Sequence, residues 1–141
     1  MQPPQAGHEA VEHTADLAIR AWAPDLARLI EQVAEGMLGL MLGERPEPVE
    51  TVEIAAEGHD AEELLVDCMR EILALWAMDA LLPVCVSVRE LQKQRAVCEV
   101  GVVPREQAAG GIEQEIKAAT YHDLEIVRTD DRLDVAVVFD V

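Results

Sequence analysis

The residue types best suited to chemistry lie near the two ends of the sequence. The tetrad His13-Thr14-Ala15-Asp16 places a histidine, a hydroxyl group and a carboxylate just before a strand pattern, and Asp140 closes the last strand pattern. Because the ends of antiparallel strands can meet, we expect Asp16 and Asp140 to lie close together. With a carbonyl or terminal carboxylate at Val141 they would form a hard-oxygen site suited to calcium or magnesium. The alternatives are an Asx-type turn for Asp16 and a solvated terminus for Asp140.

A second polar cluster occupies residues 117–123. Lys117 lies among small apolar residues, and in a strand it would point opposite Ile116. It is either an ordinary solvated lysine or a lysine placed beside the acidic pair. His13 and His122 are candidate zinc ligands, but no cysteine lies near either in the sequence, and a hydrogen-bonded histidine is the plainer interpretation.

Familiar catalytic signatures are absent from the sequence. There is no Gly-x-Ser-x-Gly elbow, phosphate-binding loop, dinucleotide glycine fingerprint or His-Glu-x-x-His motif, and Ser87 is the only serine. One alternative is an independent metal-dependent enzyme, for example a phosphoesterase with a general base such as His122.

The charge balance disfavours direct nucleic-acid binding. With 28 acidic and 11 basic residues the formal charge is −17, so most of the surface would repel a phosphate backbone. Such acidity favours solubility, divalent cations or a basic patch on another protein. We therefore expect any contact with RNA to be indirect.

Composition predicts one domain with an aliphatic core in the cytoplasm. Half of the chain is hydrophobic and only 3% is aromatic. No apolar run reaches the roughly 18 residues of a membrane span, and the N-terminus lacks the features of a secretory signal. Cys68, Cys85 and Cys98 all fall among apolar residues, which predicts three reduced core thiols. Residues 1–7 are predicted to form a flexible tail and residues 8–141 a single domain.

Hydrophobic periodicity predicts two long helices and about seven strands. Residues 24–42 and 60–78 have helical spacing, and Asp60 is positioned to cap the second helix. Strand alternation covers residues 17–22, 49–56, 82–91, 95–103, 124–128 and 133–139. Residues 112–121 fit either a helix or a strand, and a strand from about residue 115 is favoured. The sum is an α+β two-layer sandwich with both helices packed on one face of a mainly antiparallel sheet.

Several of these segments resemble the archease family in order and spacing, from about His8 to Val141. The matching motifs are His13-Thr14-Ala15-Asp16-Leu17-Ala18-Ile19-Arg20, Asp60-Ala61-Glu62-Glu63-Leu64-Leu65, Ile116-Lys117-Ala118-Ala119-Thr120-Tyr121-His122-Asp123-Leu124 and the ending Phe139-Asp140-Val141. Departures occur at Trp22-Ala23-Pro24, at Gly58-His59, and at Val141, where the family often has isoleucine.

The resemblance implies a function that composition does not reveal. Archeases are non-catalytic protein cofactors of the tRNA-splicing RNA ligase. They promote attachment of GMP to a ligase histidine and permit multiple turnover. The family's metal site, usually assigned to calcium with magnesium or manganese as alternatives, maps to Asp16, Asp140 and Val141. The family lysine that is important for activation maps to Lys117. The other functions considered are an independent metal-dependent phosphoesterase and a chaperone-like scaffold without site chemistry.

Overall fold

The computed structural model describes residues 5–12, 17–108 and 110–141, with only the backbone of Glu12. The described chain forms two α-helices, eight β-strands and a 3-10 turn at Arg105–Gln107. The helices are α1 (Leu26–Met41) and α2 (Ala61–Asp79). The strands are β1 (Gly7–Glu12), β2 (Leu17–Ala23), β3 (Glu50–Glu57), β4 (Leu81–Gln92), β5 (Arg95–Pro104), β6 (Ala118–Ala119), β7 (Val127–Thr129) and β8 (Arg132–Asp140).

Both helices begin at an aspartate cap. The Asp25 carboxylate accepts a hydrogen bond of 2.8 Å from the amide of Arg28, and Asp60 accepts one of 2.8 Å from the amide of Glu63. Each bond satisfies an amide that has no partner within the helix. Helix α2 ends at Ala80, which adopts the left-handed conformation with φ of 56° and donates its amide to the carbonyl of Leu75.

The strands form two antiparallel sheets. The first has the order β1-β2-β8-β6, with β7 also pairing with β8, and the second has the order β3-β5-β4. Helix α1 packs on β2 and β4, whereas α2 packs on β3, β4 and β6, so each helix contacts both sheets. The shared core is aliphatic apart from Phe139, the half-buried Trp76 and the thiols of Cys68 and Cys98. The α+β sandwich predicted from the sequence is confirmed.

The structure adds detail that periodicity alone did not predict. The strands divide between two sheets instead of one, and β1 pairs with β2 along its whole length. Its residues from His8 to Val11 are exposed, so β1 lacks the alternation that marks a half-buried strand. Of residues 112–121 only Ala118–Ala119 is strand. The amides of Glu113 and Gln114 instead bond to the Met41 carbonyl at the end of α1, at 2.8 and 3.2 Å.

The three cysteines are free thiols, but they do not share one environment. Cys68 and Cys98 are fully buried and hydrogen-bond to each other. That bond, followed by burial, raises the pKa of the Cys68 thiol. The prediction of a core position is wrong for Cys85, which is exposed. It alternates with the buried Val84 and Val86, and its face of β4 is open to solvent.

An arginine-carboxylate cluster lies across β2 and β8. Asp134 accepts hydrogen bonds from Arg132 at 2.8 Å through both oxygens and from Arg20 at 3.0 Å. Both guanidinium groups lie over the Trp22 ring, at 5.2 and 5.4 Å from its centroid. Hydrogen bonding by Arg132, the largest influence, holds the pKa of Asp134 below its ordinary value.

Among the described residues, neither helix has the length and apolarity needed to cross a membrane.

Candidate functional site

The C-terminal end of β8 lies in the middle of the first sheet. Phe139 pairs with Leu17 on β2 on one side and with Ala119 on β6 on the other. Its side chain is fully buried, and it is the only phenylalanine of the chain. Phe139 thus fixes the backbone immediately before Asp140, whose side chain is exposed. Val141 is also exposed, at 41%.

Lys117 lies directly beside this end of β8. Its amide donates a 2.8 Å hydrogen bond to the carbonyl of Asp140, and Ala118 pairs with Asp140 in the sheet. Ile116 is buried whereas Lys117 is exposed, although both residues precede strand β6. The ammonium group of Lys117 and the carboxylate of Asp140 are therefore both presented to solvent from neighbouring backbone positions.

The turn after β6 carries His122. Thr120 uses both its amide and its hydroxyl group to bond to the Val138 carbonyl, each at 2.9 Å, and its Oγ1 accepts from the amide of His122 at 3.3 Å. The Nε2 atom of His122 lies 3.2 Å from Oδ2 of Asp123, which has a φ of 51°. His122 is thus a partly exposed, hydrogen-bonded histidine on a turn anchored to β8.

Two predicted site residues, His13 and Asp16, lie outside the described residues. Leu17, the next residue after Asp16 in the sequence, pairs with Phe139, the residue before Asp140. Within the described ranges, no group of three or more histidine, cysteine, aspartate or glutamate side chains is arranged to hold a metal ion. The oxygen atoms of Asp140 and Val141 are of the type that calcium and magnesium prefer, and they would need further donors to complete a coordination shell.

Next to Lys117 the surface contains a groove of about 370 Å³ that the sequence analysis did not predict. Its walls come from the second half of α2 and from residues 112–117. Trp76, Ala77 and Met78 are three consecutive apolar residues on a helix, which cannot all face one core. That run is the signal in the sequence that indicates an apolar surface at the end of α2.

Comparison with known proteins assigns the family. Residues 8–141 match the model of the Archease protein family (MTH1598/TM1083). The chain belongs to the archease family. The Protein archease of Methanopyrus kandleri is 36% identical over 137 residues, covering 94% of this chain and 98% of the relative. That of Danio rerio is 32% identical and covers 95% of this chain and 85% of the relative.

Solved archease-family structures have the same fold. The solution structure of Methanobacterium thermoautotrophicum protein 1598 superposes with a TM-score of 0.69 at 27% identity, covering 96% of this chain and 99% of the other. The crystal structure of an archease from Thermotoga maritima, described as a possible chaperone, has a TM-score of 0.62 at 24% identity and covers all of this chain and 98% of the other. The second likeness concerns the fold alone.

Proposed function

We propose that this archease is a non-catalytic activator of a tRNA-splicing RNA ligase, promoting attachment of GMP to the ligase histidine and repeated turnover in exon ligation. The observation that carries the proposal is the position of Asp140. Asp140 is exposed at the end of β8 and lies beside Lys117. The residue before it, the buried Phe139, pairs with Leu17, the first residue of β2. Membership of the archease family supports the same assignment.

In this proposal Asp16, Asp140 and Val141 hold a divalent cation. The family resemblance implies calcium, with magnesium or manganese as alternatives, and all three ions accept oxygen ligands. A cation bound there supplies positive charge that phosphate oxygens can bind. The chain's own contribution is positional, because pairing of Phe139 on both sides fixes the backbone that carries Asp140.

Lys117 is proposed to assist activation from the adjacent position. Its ammonium group is exposed next to the Asp140 backbone, so it can contact a phosphate of the ligase's nucleotide or help to orient the acidic residues. The formal charge of −17 favours docking on a basic protein surface, which agrees with a protein partner and with only indirect contact with RNA. His13 and His122 remain secondary candidates.

The test is guanylylation of the cognate ligase with GTP, measured with and without this protein across calcium, magnesium and manganese. Asp140→Asn and Asp16→Asn should abolish stimulation while leaving the protein folded, and Lys117→Met should reduce it. Asp131→Asn is the matched control, because Asp131 is an exposed carboxylate at the opposite end of β8. Full stimulation by both acidic-site variants would contradict the proposed site.

The same native and variant proteins distinguish two other functions from the proposed one. For a chaperone-like scaffold without site chemistry, stimulation would survive neutralisation of Asp16 and Asp140. An independent phosphoesterase would hydrolyse phosphoester substrates with a divalent metal in the absence of ligase, which the proposal predicts not to occur.

A further inference from the structure

The groove beside Lys117 has an apolar floor and an open top. Its floor is formed by side chains of α1, α2 and the segment after the 3-10 turn, among them Met41, Leu73 and Ile116. Leu73 and Ile116 are 7% and 5% exposed, so they belong to the core and are held in place. A rigid apolar floor of this kind can accept a large side chain from a partner without rearrangement.

Exposed apolar side chains flank this floor. Met78 is 81% exposed at the end of α2, and Tyr121 is 47% exposed on the turn after β6. The half-buried Trp76 also lines the groove and packs against the core. Contiguous apolar surface next to a concave site is typical of protein interaction surfaces, and methionine and aromatic residues are enriched there.

Three cationic groups surround the same groove. Arg70 and Lys117 line it, and Arg105 stacks on the Trp76 ring at 4.4 Å while donating a 3.0 Å hydrogen bond to the Trp76 carbonyl. Arg70 lies 5.4 Å from the Tyr121 ring. No carboxylate of the described chain forms an ion pair with any of the three.

The groove therefore differs in charge from the chain as a whole. Two cations, Arg70 and Lys117, line the groove against one carboxylate, Glu115, and Arg105 stacks on Trp76, which is one of its lining residues. On a protein with a formal charge of −17, a groove bordered by unpaired arginine and lysine is complementary to an apolar segment with acidic flanks. An uncharged apolar segment would not use these cations, and a basic segment would be repelled by them.

We propose that this groove docks a segment of the partner ligase in which a large apolar side chain is flanked by carboxylates. The inference rests on the proposed function only for the identity of the partner. Lys117 belongs both to the groove and to the neighbourhood of Asp140, so a segment bound in the groove holds the ligase against the acidic residues. The groove thus contributes affinity and positions the ligase, and the acidic residues activate it.

The experiment measures the dissociation constant of the ligase complex by calorimetry, alongside guanylylation at saturating concentrations of this protein. Met78→Asp and Arg70→Glu should each raise the dissociation constant roughly tenfold or more. The matched controls are Val49→Asp and Arg128→Glu, which alter an exposed valine and an exposed arginine away from the groove and should change it less than about twofold. All four side chains are exposed, and thermal melts verify that the variants fold.

The outcomes separate the inference from the proposed function. Weaker binding by both groove variants, with full stimulation recovered at saturation, supports the inference, and Asp140→Asn should show the reverse pattern. Unchanged affinity in both groove variants overturns the inference and leaves the proposed function intact. Groove-dependent binding without any stimulation by the native protein refutes the proposed function alone. Absence of binding, or a groove variant that only converts a dimer of this chain to a monomer, overturns the inference.

Discussion

Two glycines in α1, three residues apart, are predicted to respond to alanine substitution in opposite directions. Gly36 is buried where α1 crosses β2, and a Cβ atom there would lie 2.7 Å from Cγ2 of Ile19 and 3.2 Å from Cδ2 of His8. Gly39 is exposed, and the nearest atom to its added Cβ would be a guanidinium nitrogen of Arg45 at 3.6 Å, an ordinary van der Waals contact.

The magnitudes follow from these contacts. Alanine is more stable than glycine within a helix by about 0.5–1 kcal/mol, and the gain is near the lower end for Gly39 because it lies in the last turn of α1. Gly36→Ala gains the same stabilisation from the higher helix propensity of alanine. Its Cβ atom must displace Ile19, however, which is 1% exposed and cannot move freely. Overpacking of this kind costs about 1–3 kcal/mol. We therefore expect Gly39→Ala to stabilise the protein and Gly36→Ala to destabilise it.

The assay is equilibrium unfolding in urea followed by circular dichroism, with the free energies of unfolding compared at a common m-value. The native protein serves as the reference for both variants. A higher unfolding midpoint for Gly36→Ala than for the native protein would refute the close packing of α1 on β2.

Three further predictions concern the core, the thiols and the arginine cluster. Phe139→Ala should lower the free energy of unfolding in urea by about 3–5 kcal/mol, because the ring is fully buried; a loss below about 1 kcal/mol would contradict its anchoring role. In the folded protein Ellman's reagent should label only the exposed Cys85, and in guanidinium it should label all three cysteines; rapid labelling of all three without denaturant would be inconsistent with the two buried thiols. The pKa of Asp134 in the folded state should fall below 3.8, because Arg132 binds its charged form. Its stabilisation is then complete above the unfolded-state pKa and is lost as the pH falls through the folded-state value. Asp134→Asn should lower the free energy of unfolding at neutral pH by at most about 1 kcal/mol, because solvent screens the interaction with Arg132. An NMR titration midpoint of 3.8 or above would count against this.

The helices and the main hairpin could be predicted from local patterns. The Asp60 cap and the apolar spacing of both segments place the two helices within about two residues of the observed ends, although Asp25 caps the first helix from outside it. The β4–β5 hairpin follows from two strand patterns on either side of a polar turn, although its pairing contains two register shifts that the pattern does not indicate. These features depend on residues close in sequence, which is why periodicity and capping are sufficient to find them.

Features formed by distant residues could not be predicted in the same way. The division into two sheets depends on which strand edges pair, and the exposed strand β1 carries no apolar alternation. The groove joins the end of α2 to residues 112–117, more than 30 positions away. At the candidate site, the pattern predicted that Lys117 would point opposite Ile116, but its hydrogen bond to Asp140 emerges only from the pairing of β6 with β8.

The most direct test of the account is the rate of ligase guanylylation as calcium, magnesium and manganese are each titrated with the native protein and with Asp140→Asn. We expect the native protein to stimulate ligase guanylylation in a metal-dependent manner and Asp140→Asn to lose this stimulation. The Asp131→Asn control should behave as the native protein does. Equal stimulation by native protein and Asp140→Asn at every metal concentration would contradict this expectation.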